Sequence, residues 1–265
     1  MPIAKPKAKP KPKTSKPISE QTRVAILDAA WALIAESGRA DVGQAEIAAR
    51  AGVSRQTVYL AFGGRAGLLV AMLRNRDRQS RQVRRLHEVG NGSDATPRAL
   101  FDFLGAWLDY LPVIYPVGIL LDAAGLHDAE AAAAWNDRMR HALLHGVRTI
   151  CKRIDAAGGL APGWRAEQAA DLAWSLVHPT AWRLLVVDGG WSAAAFRRSR
   201  FALIDRTLLA EQARPAIPIA GPIAGPIAGP VAVPGDRTGA APAADRVSLQ
   251  RPAVSKRSAK NRSAR

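Results

Sequence analysis

In the stretch SRQTVYLAF, Ser54 to Phe62, the side chains of Ser54, Arg55, Gln56, Thr57 and Tyr59 carry hydrogen-bonding groups, while Val58 and Phe62 are apolar. Such a set suits recognition. Arginine can take the two acceptors of a guanine edge, glutamine can pair with adenine, and hydroxyls reach phosphates or bases. At helical spacing Val58 and Phe62 share one face, which leaves Arg55, Gln56, Thr57 and Tyr59 on the outer face near the N-terminal end.

To work this way the segment must be a helix held at a fixed angle by its neighbours. Gln44 to Ala51 predicts a two-turn helix with Ile47 and Ala51 facing inward, and Gly52 can take the left-handed conformation that reverses the chain within three residues. Ala48 is small where a second helix must cross closely, Val53 anchors the turn in the core, and Ser54 can cap the next helix. The pattern is that of a helix-turn-helix, whose second helix enters the major groove of DNA by its N-terminal end. An ordinary helical hairpin with a polar outer face fits the same residues. Upstream, in a helix from Thr22, Leu27, Ala30, Trp31 and Ile34 form one apolar stripe, and Gly38 is placed to stop it.

No alternating strand pattern occurs, and valines, isoleucines and aromatics scattered among alanines and leucines favour helix. Further helices are expected at about Arg65 to Val89, Pro97 to Tyr110, Pro112 to Ala124, Ala129 to Ala157, Arg165 to Val187 and Ala193 to Gln212. NGSD, AAGGLAPG and DGGWS mark breaks, and Pro179 should kink the helix that holds it. The fold class is all-α, with a helix-turn-helix head over residues 20–68 and a larger helical body over residues 69–213.

The run from Thr22 to Leu73 resembles the amino-terminal domain of TetR-type transcriptional regulators. The resemblance lies in an alanine-rich first helix ending in E-S-G, then IAARAGVS, then T-V-Y-x-x-F, then a basic residue with paired leucines. It covers about a fifth of the chain; beyond it only size, helix count and a late G-W agree. It implies a homodimer whose heads bind double-stranded DNA at a palindromic operator and whose bodies hold a small-molecule effector that releases the DNA, as in a repressor. Carried over, the recognition helix is Ser54 to Phe62, with Arg55, Gln56 and Thr57 toward bases and Tyr59 toward a phosphate. Arg65, where the family usually has lysine, contacts phosphate, and Thr22 contacts backbone. Gly43 and Gln44 replace the usual hydroxyl cap and apolar residue, so Val42 is expected to supply that core contact. Leu60 and Ala61 stand where a polar pair is common. The final helical runs, with Leu172, Leu176, Leu184, Leu185, Phe196, Leu203 and Leu208, resemble the family's paired dimerisation helices.

The net charge of +16 lies mostly in two tails: residues 1–19 carry +6, residues 214–265 carry +7, and the rest only +3. From Glu20 to Leu68 five acids meet five arginines. The Lys/Pro-rich first arm, expected to be disordered, could supply the phosphate attraction that a neutral head lacks; a tail that only aids solubility is the alternative. The second tail, residues 214–265, opens with the repeat IAGPIAGPIAGP and ends in a basic arm. Its prolines at every fourth position exclude a spanning helix, so no membrane partner is expected. The arginine run RNRDRQSRQVRR, Arg74 to Arg85, reads as a solvated face.

For the effector, Trp107, Tyr110, Tyr115, Trp135, Trp174, His178 and Trp182 could line an apolar pocket, though each alone also fits the core. His141 and His145 have the spacing of a metal pair but lack a third ligand, so no metal and no cofactor are expected. No phosphate loop or nucleophile elbow appears, so neither is catalysis. A histone-like architectural protein using its basic tails is the alternative, and a helical enzyme a more distant one. The lone Cys151 and the missing leader pattern point to the cytoplasm.

Overall fold

The computed structural model describes residues 18–37 and 42–215; the expected stop at Gly38, the arm through residue 17 and the tail from residue 216 lie outside the described residues. Helix α1 (Glu20–Ser37) starts two residues earlier than Thr22, because Ser19 caps it by accepting the Thr22 N–H at 3.1 Å. Its stripe buries Ile26, Leu27, Ala30 and Ile34, while Trp31 lies under the Arg76 guanidinium, 4.4 Å from the ring centre. Short helices α2 (Gln44–Ala51) and α3 (Arg55–Phe62) follow, then α4 (Arg65–Gln79). The body continues with α5 (Arg81–Asn91), α6 (Pro97–Ala124) and α7 (Ala129–Asn136), which runs through a π-helical stretch (Asp137–Leu144) into α8 (His145–Ala156). Then come α9 (Ala166–Leu176), α10 (Pro179–Trp182) with a second π-helical stretch (Arg183–Val187), and α11 (Ala193–Leu208). No strand forms among the described residues; one isolated bridge joins Leu160 to Leu209.

The last helix ends at Leu208 rather than Gln212, and three expected segments split, merge or break. The run Arg65 to Val89 is two helices, since Ser80 ends α4 with its N–H on the Asp77 carbonyl and opens α5 by accepting the Val83 N–H at 3.2 Å. The segments Pro97 to Tyr110 and Pro112 to Ala124 are the single helix α6, with Pro112 and Pro116 inside it. An internal proline costs about 3 kcal/mol, but burying a Leu, Ile or Val contributes about 1.5 to 3 kcal/mol each. Leu111, Ile114, Val117 and Leu121 are all at most 1% exposed, and together they outweigh both prolines. The kink expected at Pro179 is a full break: α9 stops at Leu176, and His178 caps α10 by accepting the Thr180 N–H at Nδ1, 3.2 Å.

Helix α6 is long and apolar enough to cross a membrane, but it is the central helix of the body, packed by α4, α5 and α8. Buried residues form one continuous cluster from Ile26 in α1 to Leu209 beyond α11. Helix α4 joins its two ends, contributing Leu68, Leu69, Met72 and Leu73.

Candidate DNA interface and body cavity

The second helix of the turn is fixed at both ends. At its start the Ser54 hydroxyl accepts the Thr57 N–H at 3.0 Å and lies 2.8 Å from the Thr57 hydroxyl. At its end Arg23 of α1 donates to the Ala61 carbonyl at 2.6 Å and stacks on Phe62, 4.6 Å from the ring centre. Between them Val58 is fully buried. The turn before it has Gly52 at φ 68°, its N–H directed to the Ala48 and Ala49 carbonyls, a conformation that strains any residue with a Cβ. What remains outside is Arg55, Gln56, Tyr59 (57% exposed) and Leu60 (54% exposed), with Thr57 half-buried. Arg55 and Tyr59, and likewise Gln56 and Leu60, are neighbours at i, i+4.

The entry to α2 lacks a side-chain cap at Gly43, as its residue type predicts. Two other contacts hold it. Val42 is only 2% exposed and supplies the expected core contact, and its carbonyl accepts from Arg65 Nη1 at 3.0 Å. Arg50 bonds Glu36 with two nitrogens, at 2.8 and 3.1 Å, which ties α2 to α1 and holds the Glu36 carboxyl below its usual range. At the other junction the backbones of α3 and α4 meet without an intervening side chain: a Cβ on Gly67 would lie 2.0 Å from the Phe62 carbonyl oxygen.

A cavity of about 530 Å³ opens in the body between α4, α5, α6, the first π-helical stretch and α8. Val70, Leu73, Phe103, Trp107, Leu121 and Leu143 form its apolar wall. Its inner polar groups are already bonded to protein. Trp107 Nε1 donates to the Val177 carbonyl at 2.9 Å, and the Tyr110 hydroxyl donates to Asp77 Oδ1 at 2.6 Å. Arg138 engages both Asp77 oxygens. Burial, and then the Asp77 carboxylate, push the Tyr110 phenol well above its ordinary range, so it stays a neutral donor.

Residues 26–72 match the family model described as bacterial regulatory proteins, tetR family. The chain carries a TetR-family head. The folds of several solved regulators agree over nearly their whole length. A transcriptional regulator of Saccharomonospora viridis, in complex with choline, is 21% identical over 73% of this chain and 100% of that one, with a TM-score of 0.61. A TetR-family regulator from Rhodococcus sp. is 23% identical over 71% of this chain and 99% of that one, with a TM-score of 0.55. The regulator FadR of Bacillus subtilis, in complex with stearoyl-CoA, is 21% identical over 69% of this chain and 97% of that one, with a TM-score of 0.53. No sequence among the curated proteins matches the chain.

The residues named for DNA contact fall into two groups. Arg55, Gln56 and Tyr59 stand open on α3. Ser54, Thr57, Thr22 and Arg65 also have structural duties, Thr22 through a 2.8 Å contact with the Ser19 hydroxyl and Arg65 through Val42. Of the residues named for an effector, Trp107 and Tyr110 line the cavity. The others lie elsewhere: Trp135 packs on Gly118, Trp182 is edge-on to Phe196, and Trp174 is edge-on to His178 and near Arg140. Tyr115 is half-buried outside the cavity lining. His141 and His145 both reach the cavity rim, yet no three His, Cys, Asp or Glu side chains among the described residues could hold a metal ion. Cys151 is buried, which pushes its thiol up to about 12. Within the proposed dimer face, Phe196 and Leu208 are fully buried inside the protomer, whereas Leu184 (55%) and Leu203 (46%) are open. Sequence reasoning missed Arg23, Asp77 and Arg138. Asp77 had one signal, as the single acid in a run with six arginines.

Proposed function

We propose that this protein is a dimeric transcriptional repressor that reads a palindromic operator with α3 and lets go when a small molecule fills the 530 Å³ cavity. The observation that supports the reading most is the double role of α4. Its first turns, through Ala66, Leu68 and Leu69, belong to the buried core next to α3, and its later turns place Val70, Leu73, Arg74 and Asp77 on the cavity wall. A ligand that prefers a different setting of α4 at the cavity wall therefore biases the setting of the head that the same helix carries. By linkage it weakens DNA binding by the factor by which DNA weakens its own binding. A repressor of this kind works in the cytoplasm beside the chromosome, and no bond-making chemistry is assigned to it. The complexes of similar folds with choline and stearoyl-CoA belong to those proteins, but they support a body that admits small molecules.

Selection of a preferred duplex from random DNA, followed by fluorescence anisotropy, tests the interface. Arg55→Ala and Gln56→Ala should each lose about 1 to 3 kcal/mol on the selected site and little on random DNA, while Arg65→Ala should weaken both alike. Equal losses on both DNAs for all three variants would remove α3 as the reading element.

A further inference from the structure

We propose that the cavity accepts an amphipathic monoanion, of which a medium-chain carboxylate is the simplest case, with its apolar body against Leu73, Phe103 and Trp107 and its anionic head at the rim beside Arg74. The inference rests on reading the cavity as the effector site, and it names the ligand's class.

The interior decides the body of the ligand. The polar groups that face inward are paired with each other or with backbone: Trp107 with Val177, and Tyr110 and Arg138 with Asp77. A ligand polar group placed there would lose its water and find its protein partners already engaged, which weakens binding. Apolar atoms meet Val70, Leu73, Phe103, Trp107, Leu121 and Leu143 with no such cost.

The rim decides the head group. Arg74 on α4, His87 and Asn91 on α5, and His145 on α8 all line the cavity and are exposed, and among the described residues their side chains make no hydrogen bond or ion pair. They are donors from three different helices, and Arg74 brings a guanidinium with five N–H groups. The acids are differently placed. Asp77 is neutralised by Arg138, and Asp137, 75% exposed, lies 3.5 Å from His141 Nδ1. A cationic head therefore meets Arg74 and finds only the exposed Asp137, beside His141, to answer it, whereas a carboxylate meets a guanidinium that can bond it through two parallel N–H groups.

The test compares three ligands of one chain length, octanoate, octanol and octyltrimethylammonium, by isothermal titration of the full chain without DNA. Octanoate should bind about tenfold or more tightly than either of the others, the scale of one charge-assisted pair. Arg74→Gln should remove the advantage of octanoate over octanol while leaving octanol affinity unchanged, and Arg74→Lys should keep part of it. Far-UV circular dichroism checks that both variants remain folded. Octyltrimethylammonium binding as tightly as octanoate, an Arg74→Gln protein that keeps the preference, or no heat from any of the three would each overturn the proposal. Octanoate binding that leaves operator affinity unchanged would sink the effector reading and keep the ligand class. DNA release by the ammonium ligand alone would do the reverse.

Discussion

At Asp77 one carboxylate takes three donors from two other elements: the Tyr110 hydroxyl of α6 and two Arg138 nitrogens of the π-helical stretch. Both charged side chains are largely covered, 25% exposed for Asp77 and 16% for Arg138. Removing one charge strands the other in a place that water reaches poorly. Asp77→Asn should therefore lower unfolding stability by about 1 to 3 kcal/mol in urea titration, below the fully buried case because some exposure remains. The double variant Asp77→Asn/Arg138→Gln should recover at least half of that loss, and strictly additive losses would show that the two residues are not coupled. The role of Asp77 could not be read from its neighbours. A single acid among arginines looks like local charge balance on a wet surface, and its true partners come from positions 110 and 138, which the chain brings close only by packing α4 against α6 and the π-helical stretch.

Helix α10 depends on an unusual cap. A histidine that accepts a backbone N–H at Nδ1 must leave that nitrogen unprotonated. Burial holds His178 below its ordinary 6.5, against the pull of Asp122. A lowered folded pKa means that the unfolded chain binds the extra proton first, so the stabilisation is present above about pH 6.5 and is lost as pH falls below it. The melting temperature of the wild type should thus fall more steeply from pH 7 to pH 5 than that of His178→Asn, which keeps a capping acceptor without a titrating ring. Parallel declines would remove His178 as the cause. At this scale most helices were legible, because a 3.6-residue apolar period and glycine-rich breaks report directly on local structure. Ser80 and Pro112 were not. Serine interrupts a helix only when its side chain finds the next helix's N–H, as it does at Val83, and proline breaks one only where packing beyond it is weak, as it is not around Ile114 and Val117.

The whole molecule leaves Leu184 and Leu203 open while Phe196 and Leu208 close its own core. Exposed leucines on the second π-helical stretch and α11 suit burial against a second copy, and a four-helix contact would be stabilised mainly by that apolar area. Leu203→Glu should shift sedimentation from dimer to monomer and reduce affinity for a two-half-site operator much more than for a single half-site. A variant that sediments as a dimer would place the interface elsewhere. Within each protomer the junction at Gly67 sets how motion could travel. Side chains between packed helices act as cushions, taking up small displacements by changing rotamer. Where α4 runs past the last carbonyl of α3 there is no cushion, because hydrogen occupies the place of a Cβ that would sit 2.0 Å from oxygen. The joint is a close-fitting gear: a tilt of α4 begun at the cavity would press on the Phe62 carbonyl directly, with no side chain between them to absorb it.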